Sequence, residues 1–515
     1  MRVRDRTALA SLFVAGQAAQ GGLQKQCTQL SGVVSQLENV QSPRSSFINV
    51  HGMNVSGTLN SIPFCRLQGS IPYLGNNSVN FELWLPDSET YTGRYLSVGN
   101  SGFAGIIDTS TMLKNVEKGF AVAGGDGGHR QANNDVDSGA TYLPFLHDVN
   151  QTLAWIRNSI ADFTSSAKSI TGLFYASSPE YSYYEGCSTG GAQGFAAAEF
   201  HPHLFDGIVA SCPGNWYSHL MLSFLWGWRS ATEHARLPQD TLNFIRSRVL
   251  DACDALDSLK DGVIENPLSC SLDISSLACP ASGSNTTCLT PAQVKTYTLL
   301  TSGPVHPDTN ESLYPGFQPG SESDWTGQQG ELAQDYAVPL LQNLISAQSH
   351  NRFNFSLPTA LSFNWTIDVS LVDTYVSPFL DGIGTNLSAF RNSGGKLLVT
   401  QGWSDPYNAP TWPMEHLSKI DEVTGGGEEW MRLFMIPGGG HCGPSPHYPS
   451  IPYEPNTLET MIEWVERGIA PLEMRASKTT DGSDRTRKLC AWPLVASSRE
   501  DGGRWSEASF ECVKQ

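Results

Sequence analysis

A serine between two glycines separates a strand-like segment from a helix-like segment. YSYYEGCSTGG (Tyr181 to Gly191) is aromatic up to the glycine turn, and AQGFAAAEF continues as a helix. Glycines at 186 and 190 would let the backbone bend sharply and a substrate approach. The helix start would direct N–H groups and the positive end of its dipole toward a reacting group. The G-x-S-x-G spacing therefore predicts that Ser188 is a nucleophile, and an ordinary glycine-rich turn is the alternative.

Strand-like and helix-like segments alternate on both sides of this serine, which is typical of a parallel α/β fold. Residues 213–393 are different, because they lack periodic strands. We interpret them as an inserted domain between a first part of the core, residues 20–212, and a second part, residues 394–515. The predicted strands lie within 79–86, 94–102, 119–129, 181–187, 205–211, 394–406 and 430–443, and the predicted helices within 145–163, 192–200 and 456–468.

An acid and a base follow the serine in the order that an α/β-hydrolase uses, namely serine, acid, histidine. Asp405 follows the strand KLLVT, and His441 follows the strand RLFMI in a glycine loop. Each residue alone is compatible with an ordinary loop position. Together with Ser188 they predict a catalytic triad of Ser188, Asp405 and His441.

Cysteines flank two members of this triad. Cys187 precedes the serine and Cys442 follows the histidine. If Ser188 and His441 are in contact, their neighbours can lie within disulfide range, with Cα atoms about 4.4–6.8 Å apart. Such a bridge would close a loop of more than 250 residues, which the chain-entropy model values at roughly 5 kcal/mol. Two unrelated buried thiols are the alternative.

The N-terminus and the composition predict a secreted protein. Arg2, Arg4 and Arg6 precede a short apolar run, which is typical of a signal peptide at residues 1–19. Eight N-x-[ST] sequons agree with secretion, at Asn54, Asn76, Asn150, Asn285, Asn310, Asn354, Asn364 and Asn386. The net charge of −18 argues against a nucleic acid or an anionic membrane as partner.

Disulfides are expected in an exported chain with eleven cysteines, and the odd number leaves at least one thiol unpaired. Close spacing suggests local bridges for 253/270, 279/288 and 490/512, although spacing does not determine connectivity.

The chain resembles the tannase and feruloyl esterase family of secreted serine esterases. The family's blocks appear in order as YSYYEGCSTGGAQG, FDGIVAS, GWSDP, PGGGHCG and RKLCAWP…ASFEC. The resemblance implies an α/β-hydrolase core with a large lid at 213–393 and the cleavage of phenolic acid esters, such as those of plant cell walls. It also implies the bridge Cys187–Cys442, and family-like pairs for Cys27/Cys65, Cys253/Cys270, Cys279/Cys288 and Cys490/Cys512. Cys212 stands where relatives usually have a small residue, so it is the candidate unpaired thiol.

An oxyanion hole needs two N–H donors, and the residue after the nucleophile, Thr189, should supply one. The second should come from GNSGFAG (Gly99 to Gly105), where the resemblance points to Gly102. In the nearby GGDGGH, we interpret Asp126 and His129 as residues that hold a loop, with a metal or phosphate site as the alternative.

A second constellation, CDALDSLKDGVI (Cys253 to Ile264), places three acids within eight positions. A hard cation that takes carboxylate and carbonyl oxygens would relieve their repulsion. The resemblance implies a structural Ca²⁺ and no organic cofactor, and an exposed acidic helix is the alternative. The implied ligands are the side chains of Asp254, Asp257 and Asp261 and the carbonyls of Leu259 and Val263.

Two other functions stay open from the sequence. The substrate of this esterase could be a gallate ester, as for a tannase, instead of a ferulate ester. The chain could also be a non-catalytic, calcium-dependent binding protein on a hydrolase scaffold.

Overall fold

The computed structural model describes residues 20–103, 105–129, 143–280, 287–348, 363–478, 485–499 and 505–514. The predicted signal peptide at 1–19 and the sequons at Asn285 and Asn354 lie outside this part. The chain divides into two compact units. Unit one comprises Met1–Asp135, Asp148–Val209 and Leu387–Gly395, and unit two comprises Val136–His147, Ala210–Asn386 and Lys396–Gln515.

The fold is mixed α/β with a large central sheet, as predicted. The strands are β1 Gln41–Ile48, β2 Asn54–Val55, β3 Thr58–Leu59, β4 Phe64–Tyr73, β5 Asn77–Pro86, β6 Arg94–Val98, β7 Ala121–Gly125, β8 Tyr181–Cys187, β9 Gly207–Ser211, β10 Lys396–Gly402, β11 Met431–Ile436, β12 Glu454–Pro455, β13 Glu473–Lys478, β14 Arg485–Cys490, β15 Leu494–Ser498 and β16 Phe510–Lys514.

The helices separate these strands, and several of them lie in the segment between β9 and β10. They are α1 Gln20–Val34, α2 Thr109–Val116, α3 Val149–Leu153, α4 Ser159–Tyr175, α5 Thr189–Phe200, α6 Tyr217–Ser230, α7 Gln239–Cys253, α8 Pro291–Ser302, α9 Val338–Gln348, α10 Ile367–Tyr375, α11 Ser377–Leu380, α12 Ser388–Asn392, α13 Trp412–Thr424, α14 Gly427–Trp430 and α15 Thr457–Arg467.

In unit one, six strands lie side by side in the order β1-β4-β5-β7-β6-β8. The strands at the β1 side pair antiparallel, whereas β6 pairs in parallel with both β7 and β8. Every residue of β7 is buried, as expected for a strand covered on both faces. The predicted helix at 145–163 is present but interrupted, because a π-helical turn at Ala154–Asn158 separates α3 from α4.

In unit two, β10 and β11 pair in parallel along their whole length. The described residues between β9 and β10 contain helices, short turns and two isolated bridges but no strand, as predicted. Their core packs around the fully buried Trp325, whose ring lies against Tyr297 and Phe317. The boundaries of the predicted lid, 213–393, stay a prediction.

Four disulfides join cysteines that are close in the sequence or on neighbouring elements. They are Cys27–Cys65, Cys253–Cys270, Cys279–Cys288 and Cys490–Cys512, which match the pairs that the resemblance implies. Cys187 and Cys442 are each disulfide-bonded as well. Cys212 is free and buried, as predicted. Among the described residues, no helix is both long and apolar enough to cross a membrane.

Candidate active site

Ser188 lies in unit one at the turn between β8 and α5, where the sequence predicts it. Its backbone has φ 63° and ψ −118°, a conformation that non-glycine residues rarely adopt. The flanking glycines permit this turn: a Cβ at Gly186 would lie 2.6 Å from the carbonyl oxygen of Gly190. A Cβ at Gly190 would lie 2.8 Å from the carbonyl oxygen of Asn100. Backbone strain at a single residue is typical of functional turns. Such strain persists only where the surrounding structure holds the residue in place.

The structure brings the two predicted oxyanion-hole residues together. The Thr189 hydroxyl donates a 2.9 Å hydrogen bond to the carbonyl oxygen of Gly102, which has φ 53°. Gln193 holds the same loop from α5, because its amide nitrogen donates to Asn100 Oδ1 at 3.0 Å and its Oε1 accepts from the Asn100 N–H at 2.9 Å. The sequence analysis missed Gln193, whose only signal is a polar residue within a small, apolar helix.

Asp126 and His129 stabilise loops in unit one. The Asp126 carboxylate accepts hydrogen bonds from the backbone and side chain of Asn80 and from the Gly128 N–H. Burial lowers the pKa of His129 to about 4, against an opposing backbone hydrogen bond at Phe103. These contacts agree with a loop-holding role for both residues.

Asp405 and His441 meet in unit two, in the loops that follow β10 and β11. Asp405 Oδ2 lies 2.8 Å from His441 Nδ1. The carboxylate is fully buried, and its Oδ1 accepts hydrogen bonds from the backbone N–H groups of Tyr407 at 2.8 Å and Asn408 at 3.0 Å. A Cβ at Gly402 would collide with the carbonyl oxygen of Gly439, so glycines allow the two loops to approach.

The surroundings of His441 stabilise the positive charge that its imidazole gains when it accepts a proton. Burial by itself lowers the pKa of the imidazole, but the charge and hydrogen bond of Asp405, together with Cys212, raise it to about 10. The ring of Tyr407 packs against the imidazole, with centroids 4.6 Å apart. An imidazole held in this way can stabilise the positive charge that it gains as a general base.

The tryptophans of the 213–393 segment serve mainly as packing residues. Trp325 and Trp365 are buried. Trp226 packs edge-on against Trp365 at 4.8 Å, and Trp216 lies 4.6 Å from Trp412. These contacts indicate that the four tryptophans pack against neighbouring residues.

The acidic loop after α7 surrounds a buried arginine that the sequence analysis missed. Arg487, on β14, lies 2.7 Å from Asp261, 2.9 Å from Glu265 and 3.6 Å from Asp257. Asp254 accepts hydrogen bonds from the backbone N–H groups of Asp261 and Gly262. No signal in the sequence connects Arg487 with acids more than 220 positions earlier.

These residues fit a hard cation. Three carboxylates face a single guanidinium, a fourth, that of Asp254, lies close to Asp261, and Asp257 Oδ2 is buried without a hydrogen-bond donor. Burial raises the pKa of Asp257 to about 7, although Arg487 lowers it in part. The donor set consists of oxygen atoms, which Ca²⁺ prefers.

A family model for tannase and feruloyl esterase matches residues 65–513. The chain belongs to the tannase and feruloyl esterase family. It is therefore a carboxylic ester hydrolase, and its fold is α/β-hydrolase-like.

Individual relatives cover nearly the whole chain. A probable feruloyl esterase B-1 from Aspergillus terreus (strain NIH 2624 / FGSC A1156) is 30% identical over 544 residues, with 98% of each chain covered. The crystal structure of feruloyl esterase B from Aspergillus oryzae has a TM-score of 0.83 at 25% identity and covers 95% of this chain and 100% of its own. A tannin acyl hydrolase from Aspergillus niger, at 20% identity and a TM-score of 0.78 over 96% of each chain, shares the fold.

Replacing Asp405 tests the role of the acid–base pair. We expect Asp405→Asn to lower kcat for a p-nitrophenyl ester by about 10³–10⁴-fold, because the asparagine amide favours the wrong imidazole tautomer. KM should change little, since Asp405 is buried behind the imidazole. The exposed Asp240→Asn serves as the matched control in steady-state kinetics, and a loss below tenfold for Asp405→Asn would contradict the assignment.

Proposed function

We propose that this esterase hydrolyses esters of phenolic acids through an acyl-enzyme on Ser188. The observation that carries the proposal is the match to the tannase and feruloyl esterase family over residues 65–513. The strained serine turn in unit one and the buried acid–base pair in unit two support the assignment of roles.

In the proposed mechanism, Asp405 orients His441, and His441 removes the proton of the Ser188 hydroxyl. The serine oxygen attacks the ester carbonyl, and the resulting oxyanion is stabilised by the N–H groups of Gly102 and Thr189. The C–O bond to the alcohol then breaks, and His441 returns the proton to the leaving alcohol. Water attacks the acyl-enzyme by the same route, which releases the acid and restores Ser188.

Aromatic side chains beside His441 support an aromatic acyl group. Tyr407 packs on the imidazole and also lies edge-on to Phe224 and Tyr336, at 6.5 Å and 6.2 Å. Tyr407 and Tyr336 are partly exposed, so their rings are available to pack against a phenolic ring. The names of the relatives point to ferulate esters first, and gallate esters are the second candidate.

Substrate hydrolysis separates the proposed enzyme from a binding protein. We expect the wild type to cleave methyl ferulate, methyl caffeate or methyl gallate, and Ser188→Ala to lose at least about 10⁴-fold in kcat because the nucleophile is absent. The exposed Ser165→Ala is the matched control, and product acids are measured by liquid chromatography. Activity on a short-chain p-nitrophenyl ester alone would contradict the phenolic assignment, and an unchanged rate in Ser188→Ala would contradict the mechanism.

We further propose that the acidic loop after α7 binds a structural Ca²⁺. The carboxylates of Asp254, Asp257 and Asp261 would hold the ion, with the carbonyls of Leu259 and Val263 as further ligands. Bound Ca²⁺ would balance the negative charge of the carboxylates that the single guanidinium of Arg487 leaves uncompensated. It would stabilise unit two and take no part in ester cleavage.

Calcium binding should stabilise the folded state by mass action. At 100 times its dissociation constant, a bound ion adds about 2.7 kcal/mol to the free energy of unfolding. We expect added Ca²⁺ to raise the Tm of the EGTA-treated wild type, and Asp257→Asn to lose most of this increase. The exposed Asp273→Asn should keep it. Equal Tm values with Ca²⁺ and with EGTA in the wild type would show that Arg487 alone balances the loop.

We also propose that the protein is secreted. The disulfides support an oxidising compartment, and the sequons Asn54, Asn76, Asn310, Asn364 and Asn386 are exposed. N-terminal sequencing of protein from the culture medium should show a start near residue 20, whereas a retained Met1 would contradict a cleaved signal.

A further inference from the structure

The free thiol of Cys212 lies beside the acid–base pair. Its sulfur, a carboxylate oxygen of Asp405 and a ring nitrogen of His441 all lie within 4.8 Å of one another, and we call these three residues the thiol cluster. Cys212 and Asp405 are buried, whereas the His441 side chain is 15% exposed. Of the three side chains, that of His441 is the most accessible to solvent.

The backbone holds Cys212 in this position. Cys212 follows β9 with φ 41°, and its N–H donates a 2.7 Å hydrogen bond to the carbonyl oxygen of Thr400 on β10. Its carbonyl oxygen accepts a 2.7 Å hydrogen bond from the side chain of Asn408. The N–H of Asn408 in turn donates to Asp405, so the same short loop holds both the thiol and the carboxylate.

We propose that the thiol cluster binds a thiophilic divalent cation such as Zn²⁺ or Cd²⁺, and that binding stops ester hydrolysis. Thiolate, imidazole and carboxylate are the protein ligands that Zn²⁺ takes, with bonds of about 2.0–2.3 Å. Around a tetrahedral ion these bonds place the ligand atoms roughly 3.3–3.6 Å apart. Because the ligand atoms lie within 4.8 Å of one another, their separations need to shorten by about 1.5 Å at most.

Binding would remove the base from the reaction. The Cys212 thiol loses its proton to solvent and binds as a thiolate. The imidazole binds through whichever ring nitrogen carries no proton. If Nδ1 binds the ion, the hydrogen bond to Asp405 is lost. If Nε2 binds it, His441 cannot accept the proton of Ser188. Either arrangement prevents general-base catalysis.

The ligand types separate this site from the acidic loop after α7. A sulfur and a nitrogen donor favour zinc-like ions, whereas Ca²⁺ prefers oxygen donors. Saturating Ca²⁺ therefore leaves the thiol cluster free for a thiophilic ion. Assays in excess Ca²⁺ keep the two ions from being confused.

Ultraviolet absorption of Cd²⁺–thiolate bonds tests binding without any need for catalysis. All eleven cysteines lie in the described part of the chain, ten are disulfide-bonded and Cys212 is free, so a thiolate signal reports this residue alone. We expect Cd²⁺ to produce charge-transfer absorption with one equivalent bound in full-length Ser188→Ala. The signal should be absent in Ser188→Ala/Cys212→Ala, with thermal melting to verify that both variants are folded.

Inhibition by Zn²⁺ tests the consequence, and this arm rests on the proposed function. Each variant is compared with its own metal-free rate on a p-nitrophenyl ester. We expect the Zn²⁺ concentration for half-inhibition to be at least tenfold higher in Cys212→Ala than in the wild type, and unchanged in the exposed control His203→Ala. Equal Zn²⁺ sensitivity of wild type and Cys212→Ala, or no Cys212-dependent Cd²⁺ absorption, would overturn the proposal.

Discussion

The burial of the Asp405 carboxylate constrains the loops around the acid–base pair. A buried charge is costly unless hydrogen bonds replace the lost water. Asp405 therefore needs the N–H groups of Tyr407 and Asn408, the side chain of Gln401 and the imidazole of His441. Because these donors come from β10 and from the loops after β10 and β11, satisfying one carboxylate also fixes the direction in which the imidazole points.

The same requirement extends to neighbouring residues that do no chemistry in the proposed mechanism. Asn408 donates its backbone N–H to Asp405 and its side-chain amide to the carbonyl oxygen of Cys212. Tyr407 lies in the same turn, and its ring packs on the imidazole of His441. The positions of the free thiol and of the aromatic contact are thus consequences of how the carboxylate is held.

The acidic loop after α7 meets the cost of buried charge in a different way. Asp405 is held by uncharged donors and one imidazole, whereas Asp257, Asp261 and Glu265 share the guanidinium of Arg487. One positive charge does not balance this number of carboxylates, and an oxygen of Asp257 lacks a hydrogen-bond donor. The first arrangement is suited to orienting a base, and the second to holding a cation that stabilises unit two.

The α/β alternation, the serine turn and the order of the acid and the histidine could be predicted from the sequence, because these features depend on residues close together in the chain. Hydrophobic periodicity and glycine spacing are local properties of the sequence. The disulfide pairs were implied by the resemblance to the family. Only the tertiary structure showed that Arg487 lies among the acids of a distant loop, that Gln193 holds the Gly102 loop and that the thiol of Cys212 lies beside His441. Such contacts join residues far apart in the chain, and they follow from packing and from the need to satisfy buried polar groups, neither of which leaves a periodic trace in the sequence.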